Sequence, residues 1–362
     1  MVNLTNGTRL LPEVVSYCLA PTNLTQFLTN PSPPDLQVVI WEYISGAFCL
    51  FGGSANLILL ILIQRSQALR RGAGILVAHL LACHVAYFAV ILPLIIARVR
   101  NVTTLPRITE RDCEVCRLQH FITMTCGFVI GWTDALLALN RIVGVMFPVK
   151  YRLLDRPLVH GCGLLLGWLL TLSMTIPPFF GYHSSFKMGG VGKCTYIPQN
   201  TLFVLWLSFN VYCPLAIATG SAVLISARFG LNRLTGVPQV HPRTPGVNGN
   251  APSRNAVSRR QGKMSRMLVT SFLINFACQI PLFLLIVTNW ISRYPLLSLW
   301  TICLFMVQCS SAPVIFLALN GDYRKLFVNV YGRLRGQNVA ASSQPQAPSR
   351  TLAKKPTIEP RG

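Results

Sequence analysis

The sequence predicts an all-α membrane protein, a bundle of seven transmembrane helices followed by a short amphipathic eighth helix. Three observations predict it. Seven long runs are apolar, Lys and Arg divide unevenly between the segments joining them, and glycosylation sequons fall on one side only. Hydrophobic residues make up 52% of the chain and charged residues 12%, whereas a soluble domain carries about a quarter charged.

A helix needs about 20 mostly apolar residues to cross a hydrocarbon core of roughly 30 Å. The runs Val38–Ile63, Ala73–Ala97, Leu118–Phe147, Leu158–Phe180, Thr201–Ala227, Met264–Trp290 and Pro295–Leu319 meet that length. The third is the most polar, with Asp134, Asn140 and Arg141, yet its neighbours require a crossing between them. After the seventh, Asp322 to Tyr331 places apolar residues near helical spacing between basic flanks. That pattern predicts a short helix lying in the membrane interface. Residues 1–37 read as an extracellular glycosylated N-terminus, 38–335 as the transmembrane unit with its eighth helix, and 336–362 as a disordered cytoplasmic tail. A Pro, Gly, Asn and Arg-rich stretch from Asn232 to Ser258 reads as a flexible inner loop.

Orientation follows from charge, because Lys and Arg accumulate on the cytoplasmic side. With the N-terminus outside, 23 of the 32 basic residues fall in inner segments and 9 in outer ones. The sequons at Asn3, Asn6, Asn23 and Asn101 all fall outside on the same assignment, and Pro31 disqualifies Asn30. The first 37 residues hold no apolar run of seven, so the first span is expected to serve as the membrane signal. The plasma membrane is the expected location.

The formal charge of +22 suggests nucleic acid at first. The basic residues form no stripe and no separate domain, so no nucleic-acid partner is expected. Internal repeats and paired broken helices, the marks of a transporter, are lacking. No His-Glu-x-x-His, Gly-x-Ser-x-Gly or P-loop motif occurs, so the chain is not expected to be an enzyme or to hold a metal or cofactor. Eight of the twelve cysteines lie in apolar runs; Cys18, Cys113, Cys116 and Cys194 lie in polar segments, where an oxidising compartment permits disulfides.

A set of residues recurs in order along the spans: Gly53 and Asn56 in the first, Pro93 in the second, Cys116 at the start of the third, and Asn140-Arg141-Ile142 at its end. Phe147-Pro148-Val149-Lys150-Tyr151 follows, then Trp168 and Pro178, Pro214, Cys278-Gln279-Ile280-Pro281 and Ala312-Pro313-Val314-Ile315-Phe316. Asn320, Tyr323, Arg324 and Phe327 close the set. This ordered set resembles the rhodopsin-like, or class A, G-protein-coupled receptors from about Val38 to Arg335. The Asn-Arg and Ala-Pro variants faintly resemble melatonin-like receptors and invertebrate relatives.

The resemblance implies a ligand-activated receptor whose partners are an extracellular ligand, a heterotrimeric G protein, arrestin and the surrounding lipids. It implies coupling through Arg141, with Asn140 and Pro148 beside it, and a conformational switch built on Asn56, His84, Asp134, Gln279, Pro281, Pro313 and Phe316. It also implies a Cys116–Cys194 disulfide. Cys18 and Cys113 then remain and are expected to pair, although four cysteines permit three pairings. Several positions depart from the family pattern. His84 replaces the sodium-binding carboxylate, Ala312 the matching Asn, Gln279 the toggle Trp, Ala222 and Phe316 two Tyr residues, and Gln261 the acid opposite Arg141. An imidazole cannot stand in for a carboxylate as a hard-cation ligand, so sodium modulation is not expected.

Carried over from the family, the ligand pocket would be lined by Thr123, Gly127, Trp206, Asn210, Gln279, Phe283, Ile302 and Met306. Thr123 where amine receptors have Asp, and Met306 where retinal receptors have Lys, argue against both ligands. A mostly apolar lining suits a lipid-like or small neutral ligand. Arg98, Arg100, Arg107 and Arg111 equally suit an acidic peptide, or form a solvated patch with Glu110, Asp112 and Glu114. The degraded switch positions keep a second function open, a seven-span scavenging or chaperoning partner that does not signal. Inside the membrane, His84 and Asp134 come to rest at similar depth and are expected to interact directly or through a water, near Asn56, Asn275 and Gln308. Such a contact would act either as a proton-sensitive switch or as a fixed polar tie.

Overall fold

The computed structural model describes residues 36–70, 72–104, 110–147, 151, 155–182, 184–188, 194–198, 200–234, 270–281, 284, 295–319 and 321–334. Asn3, Asn6, Cys18, Asn23, Pro148, Gln261, Phe283 and Asn320 lie outside them, as does the Cys113 side chain. Hydrocarbon offers no partner to an exposed backbone amide, so a spanning segment must satisfy its own. Each of the seven apolar runs accordingly contains helix. These are α1 (Leu36–Arg65), α2 (Gly74–Ala86, Tyr87–Ile91 and Leu92–Thr104), α3 (Glu110–Met146), α4 (Pro157–Phe179), α5 (Thr201–Leu234), α6 (residues 270–281) and α7 (Pro295–Leu319). Six of them are long and apolar enough to cross a membrane within the described residues. The end with Cys116 is the outer end of the charge-based orientation, and the end with Arg141 the inner.

Helices α2, α3 and α5 outrun their apolar stretches, because polar residues continue a helix into water at no backbone cost. Proline shapes three places. Pro93 has no N–H and crowds the carbonyl one turn back. The helix absorbs this in a single π turn, Tyr87–Ile91, in which the Leu92 N–H bonds the Tyr87 carbonyl. Pro157 opens α4 at its first turn, and Arg156 before it is extended, with φ −79° and ψ 141°. Pro177 and Pro178 sit in the last turn of α4. There the Tyr182 N–H bonds the Pro177 carbonyl at 3.0 Å and the Gly181 N–H bonds Pro178 at 2.9 Å, a Schellman end with Gly181 at φ +82°.

One element was not foreseen. Ser184–Met188 (β1) and Cys194–Pro198 (β2) pair antiparallel, with Met188 opposite Cys194. Two five-residue runs flanking Gly189, Gly190 and Gly192 were the available signal. The disulfide between Cys116 and Cys194 is present and ties β2 to the outer part of α3. The eighth helix, α8 (Gly321–Leu334), forms where the amphipathic pattern predicted it.

The largest core joins α1, α2, α3 and α7 through Trp41, Tyr87, Phe88, Ile130, Met306 and Cys309. The Trp41 indole N–H donates to the Leu299 carbonyl at 2.9 Å, fixing α1 on α7. Leu50, Leu158 and Leu202 are 78%, 75% and 72% exposed. So much open aliphatic surface would aggregate in water and matches lipid instead.

Helices α3 and α4 meet through two glycines one turn apart. A Cβ on Gly163 would lie 3.1 Å from Leu136 Cδ2, and one on Gly167 would lie 3.2 Å from Trp132 Cβ. Such small residues let two backbones approach where lipid gives no hydrophobic drive to association. Gly167→Leu is therefore expected to force α3 and α4 apart, at a cost of about 1–3 kcal/mol. Thermal unfolding of the detergent-purified protein checks this; the midpoint should fall, and Gly161→Leu, where a Cβ meets nothing within 4 Å, should leave it unchanged.

Candidate functional site

Polar side chains that face one another inside the bundle fall at three levels. At mid-depth, Asn56 is fully buried on α1. Its amide nitrogen donates to the Gly52 carbonyl at 2.7 Å and the Cys309 carbonyl at 3.3 Å. Its oxygen lies 3.2 Å from His84 Nδ1. An amide oxygen only accepts, so His84 carries its proton on Nδ1. Among the described residues, His84 Nε2 and both side-chain polar atoms of Gln308 are buried with no hydrogen-bond partner.

Asp134 does not meet His84. No direct hydrogen bond joins the two: the expected neighbours Asn275 and Asn56 take their places, Asn275 of α6 donating to Asp134 Oδ2 at 3.1 Å and Asn56 lying against His84. Helical phase gives the reason. α2 faces α3 through His79 and Cys83: His79 Nδ1 lies 3.1 Å from Thr133 Oγ1, and the Cys126 thiol donates to the Cys83 carbonyl at 3.6 Å. His84 is turned about 100° past Cys83, toward α1, and Asp134 about 100° past Thr133, toward α6. Similar depth is not the same azimuth.

His79 is a further site residue, which no family motif marks. Trp168 donates its indole N–H to His79 Nε2 at 3.1 Å. That ring nitrogen must accept, so Nδ1 carries the proton and donates to Thr133, which donates on to the Val129 carbonyl at 2.7 Å. One neutral imidazole thus joins α2, α3 and α4. An ionisable residue within an apolar run was the signal, and it applied to His79 as much as to His84.

Phe283 lies outside the described residues, and the other seven pocket candidates divide between separate surroundings. Met306 is 0% exposed and packs with Ile302 in the core of α1, α2, α3 and α7. Asn210 is buried between α3 and α5; its oxygen accepts from Trp132 Nε1 at 3.1 Å and its nitrogen donates to the Trp206 carbonyl. Trp206 stacks on Phe209, 38% exposed, and lines a cleft of about 340 Å³ between α4 and α5 with Ser173, Met174, Pro177, Asn200, Leu202 and Phe203. Thr123 turns its hydroxyl back to the Gln119 carbonyl, a Cβ on Gly127 would meet nothing within 4 Å, and Gln279 is half-buried on α6. At the outer end Arg98 is buried, and the Arg117 guanidinium lies 5.1 Å from the Phe179 ring centre.

At the inner end, Asn140 is buried and Arg141 half-buried. Among the described residues no carboxylate lies within ion-pair distance of Arg141; the nearby Asp155 is in contact with His160 Nε2 at 3.3 Å instead. Pro281 closes the described part of α6, and Pro313 and Phe316 are buried on α7. Replacing His79 with Leu would leave the Trp168 N–H unpaired in hydrocarbon and is expected to cost about 1–3 kcal/mol. Asn at that position keeps a donor and an acceptor. The unfolding midpoint should therefore drop for His79→Leu and recover in large part for His79→Asn.

The sequence matches the family described as 7 transmembrane receptor (rhodopsin family) over residues 55–316. It is 24% identical over 229 residues to the pineal opsin of Petromyzon marinus, an alignment covering 60% of this chain; the chain spans about half, 48%, of that relative's length. The crystal structure of squid rhodopsin superposes with a TM-score of 0.67 at 13% identity, over 89% of this chain and 87% of that one. With the family match covering most of the bundle, the chain belongs to the rhodopsin family of seven-transmembrane receptors.

Proposed function

We propose that the protein is a cell-surface receptor that passes the binding of an extracellular ligand to heterotrimeric G proteins, with its N-terminus outside and its tail in the cytosol. The observation that carries this reading is Arg141. It lies in the inner part of α3, half-buried and among the described residues without a carboxylate to hold it, a turn and a half before Phe147-Pro148. A guanidinium so placed is free to donate to backbone carbonyls of a docking partner. The same geometry supports basal activity, since nothing described pins Arg141 in an inactive pose. Arrestin is the expected second partner at this face.

For the ligand, the cleft between α4 and α5 supports a lipid-like molecule. Its lining is apolar except for Ser173 and Asn200, which suits an amphiphile with a small neutral head. The relatives named above are an opsin and a rhodopsin, yet α7 contains no lysine and Met306 is sealed in the core. A Schiff-base chromophore has no amine there. The neutral residues Gln279, Ala312 and Phe316 at expected switch positions favour the second reading, a scavenging or chaperoning role without signalling.

Cells carrying G-protein dissociation sensors separate the two. The wild type is expected to signal above mock-transfected cells without ligand, and Arg141→Ala to return that signal to the mock level at equal surface expression. A wild type indistinguishable from mock, alone and across a lipid panel, selects the scavenging role. The orientation is checked on the same cells: deglycosylation of surface-labelled protein should increase its gel mobility, and Gln at Asn3, Asn6, Asn23 and Asn101 together should abolish the shift.

A further inference from the structure

Between α3 and α4 runs inner loop 2, residues 147–156, of which Phe147, Tyr151, Asp155 and Arg156 are described; Tyr151 and Asp155 carry side chains that face α3 and α4. The Phe147, Tyr151 and Asp155 amides donate to the Val143, Phe147 and Tyr151 carbonyls at 2.8, 2.9 and 2.8 Å. These described residues thus continue the i to i−4 pattern of α3 beyond Met146. The Tyr151 ring lies over α3, where a Cβ on Gly144 would be 3.3 Å from its Cε2. Its hydroxyl reaches one turn back and accepts from Asn140 Nδ2 at 3.5 Å. On its other side the same hydroxyl donates to Asp155 Oδ1 at 3.1 Å.

Asp155 gathers more than Tyr151. His160 of α4 lies 3.3 Å from the same oxygen. Gly72, at φ +59°, sits so close that a Cβ there would be 2.5 Å from Oδ1, so the segment joining α1 and α2 also presses on this carboxylate. Burial raises the Tyr151 phenol above its ordinary value, with the Asn140 hydrogen bond opposing, so the hydroxyl keeps its proton and remains a donor. Tyr151, His160 and Gly72 therefore converge on one acid, and α3 reaches it through Tyr151. The residue before Arg141 is a neutral amide, and the acid stands on the far side of the tyrosine instead.

We propose that Asp155 is the positioning residue of the inner face: acting through the Tyr151 hydroxyl, it fixes inner loop 2 against the end of α3 and so sets how Arg141 is presented to a docking partner. A carboxylate acceptor forms the stronger hydrogen bond, and the hydroxyl lies between positions 140 and 155. An acid at either position can therefore serve it. The consequence at Arg141 rests on the coupling reading above; the clasp itself does not.

The test exchanges the two groups. Hydrogen exchange is measured on the full chain in lipid nanodiscs, for peptides carrying the Phe147, Tyr151 and Asp155 amides. Asp155→Asn and Tyr151→Phe should each lose protection there while peptides from α1 and α7 keep theirs. Adding Asn140→Asp to Asp155→Asn should restore protection, and adding it to Tyr151→Phe should not. Unchanged protection in Asp155→Asn, or recovery that does not need the hydroxyl, overturns the proposal. Binding of nucleotide-free G protein is read in parallel, and should fall with Asp155→Asn and return with the exchange. A wild type that binds no G protein but gives the expected exchange pattern overturns the coupling reading and leaves the clasp standing. Binding that ignores Asp155 although the clasp has opened overturns the link to Arg141.

Discussion

Hydrocarbon gives no hydrogen bond to a stray polar group, and the arrangement of this bundle depends on that. A polar side chain left without a partner in lipid is costly, so spans that carry such groups are favoured in arrangements where most of them meet. The pairs they form decide which helix faces which. Asn56 joins α1 to α2 and α7, His79 joins α2 to α3 and α4, Asn275 joins α6 to α3, and Asn210 joins α5 to α3. α3 takes part in most of these ties, and Gly163 and Gly167 bring α4 close enough for the Trp168 bond. Apolar packing fills the space between the ties but does not choose partners, because lipid tails are as apolar as Leu.

The spans themselves were legible from sequence because their signal is one-dimensional. Run length and the side on which Lys and Arg collect are enough to place helices, and the bounds of α7 agree to the residue. The Cys116–Cys194 bridge was legible through resemblance. Azimuth was not legible. His84 and Asp134 were matched by depth along their helices, and depth says nothing about which way a side chain turns; a rotation of one residue sent one toward α1 and the other toward α6. The surroundings of the pocket residues were not legible for the same reason: positions carried over singly land on different faces, Met306 in a sealed core and Trp206 in an open cleft. Strands β1 and β2 were missed because five-residue runs in a polar loop are weak beside 25-residue apolar ones.

The departures from the family pattern gain sense when partners are counted. His84, standing where a carboxylate is usual, engages Asn56 through Nδ1 and so remains tied to α1. The neutral Asn140 has a buried place beside Tyr151, whose hydroxyl is served by Asp155. A substitution that looks like a lost function along the chain is, in space, a change in where the polar group stands. At the inner face Tyr151 and Asp155 therefore stand paired near a guanidinium that no described carboxylate restrains.

Nucleotide exchange on purified G proteins tests the central claim most directly. The full chain, reconstituted in nanodiscs, is added without ligand to a panel of heterotrimers, and uptake of a non-hydrolysable GTP analogue is followed. Uptake on at least one heterotrimer is expected to be faster than with empty nanodiscs. Uptake equal to empty nanodiscs on every heterotrimer, from protein that still shows cooperative thermal unfolding, would contradict it.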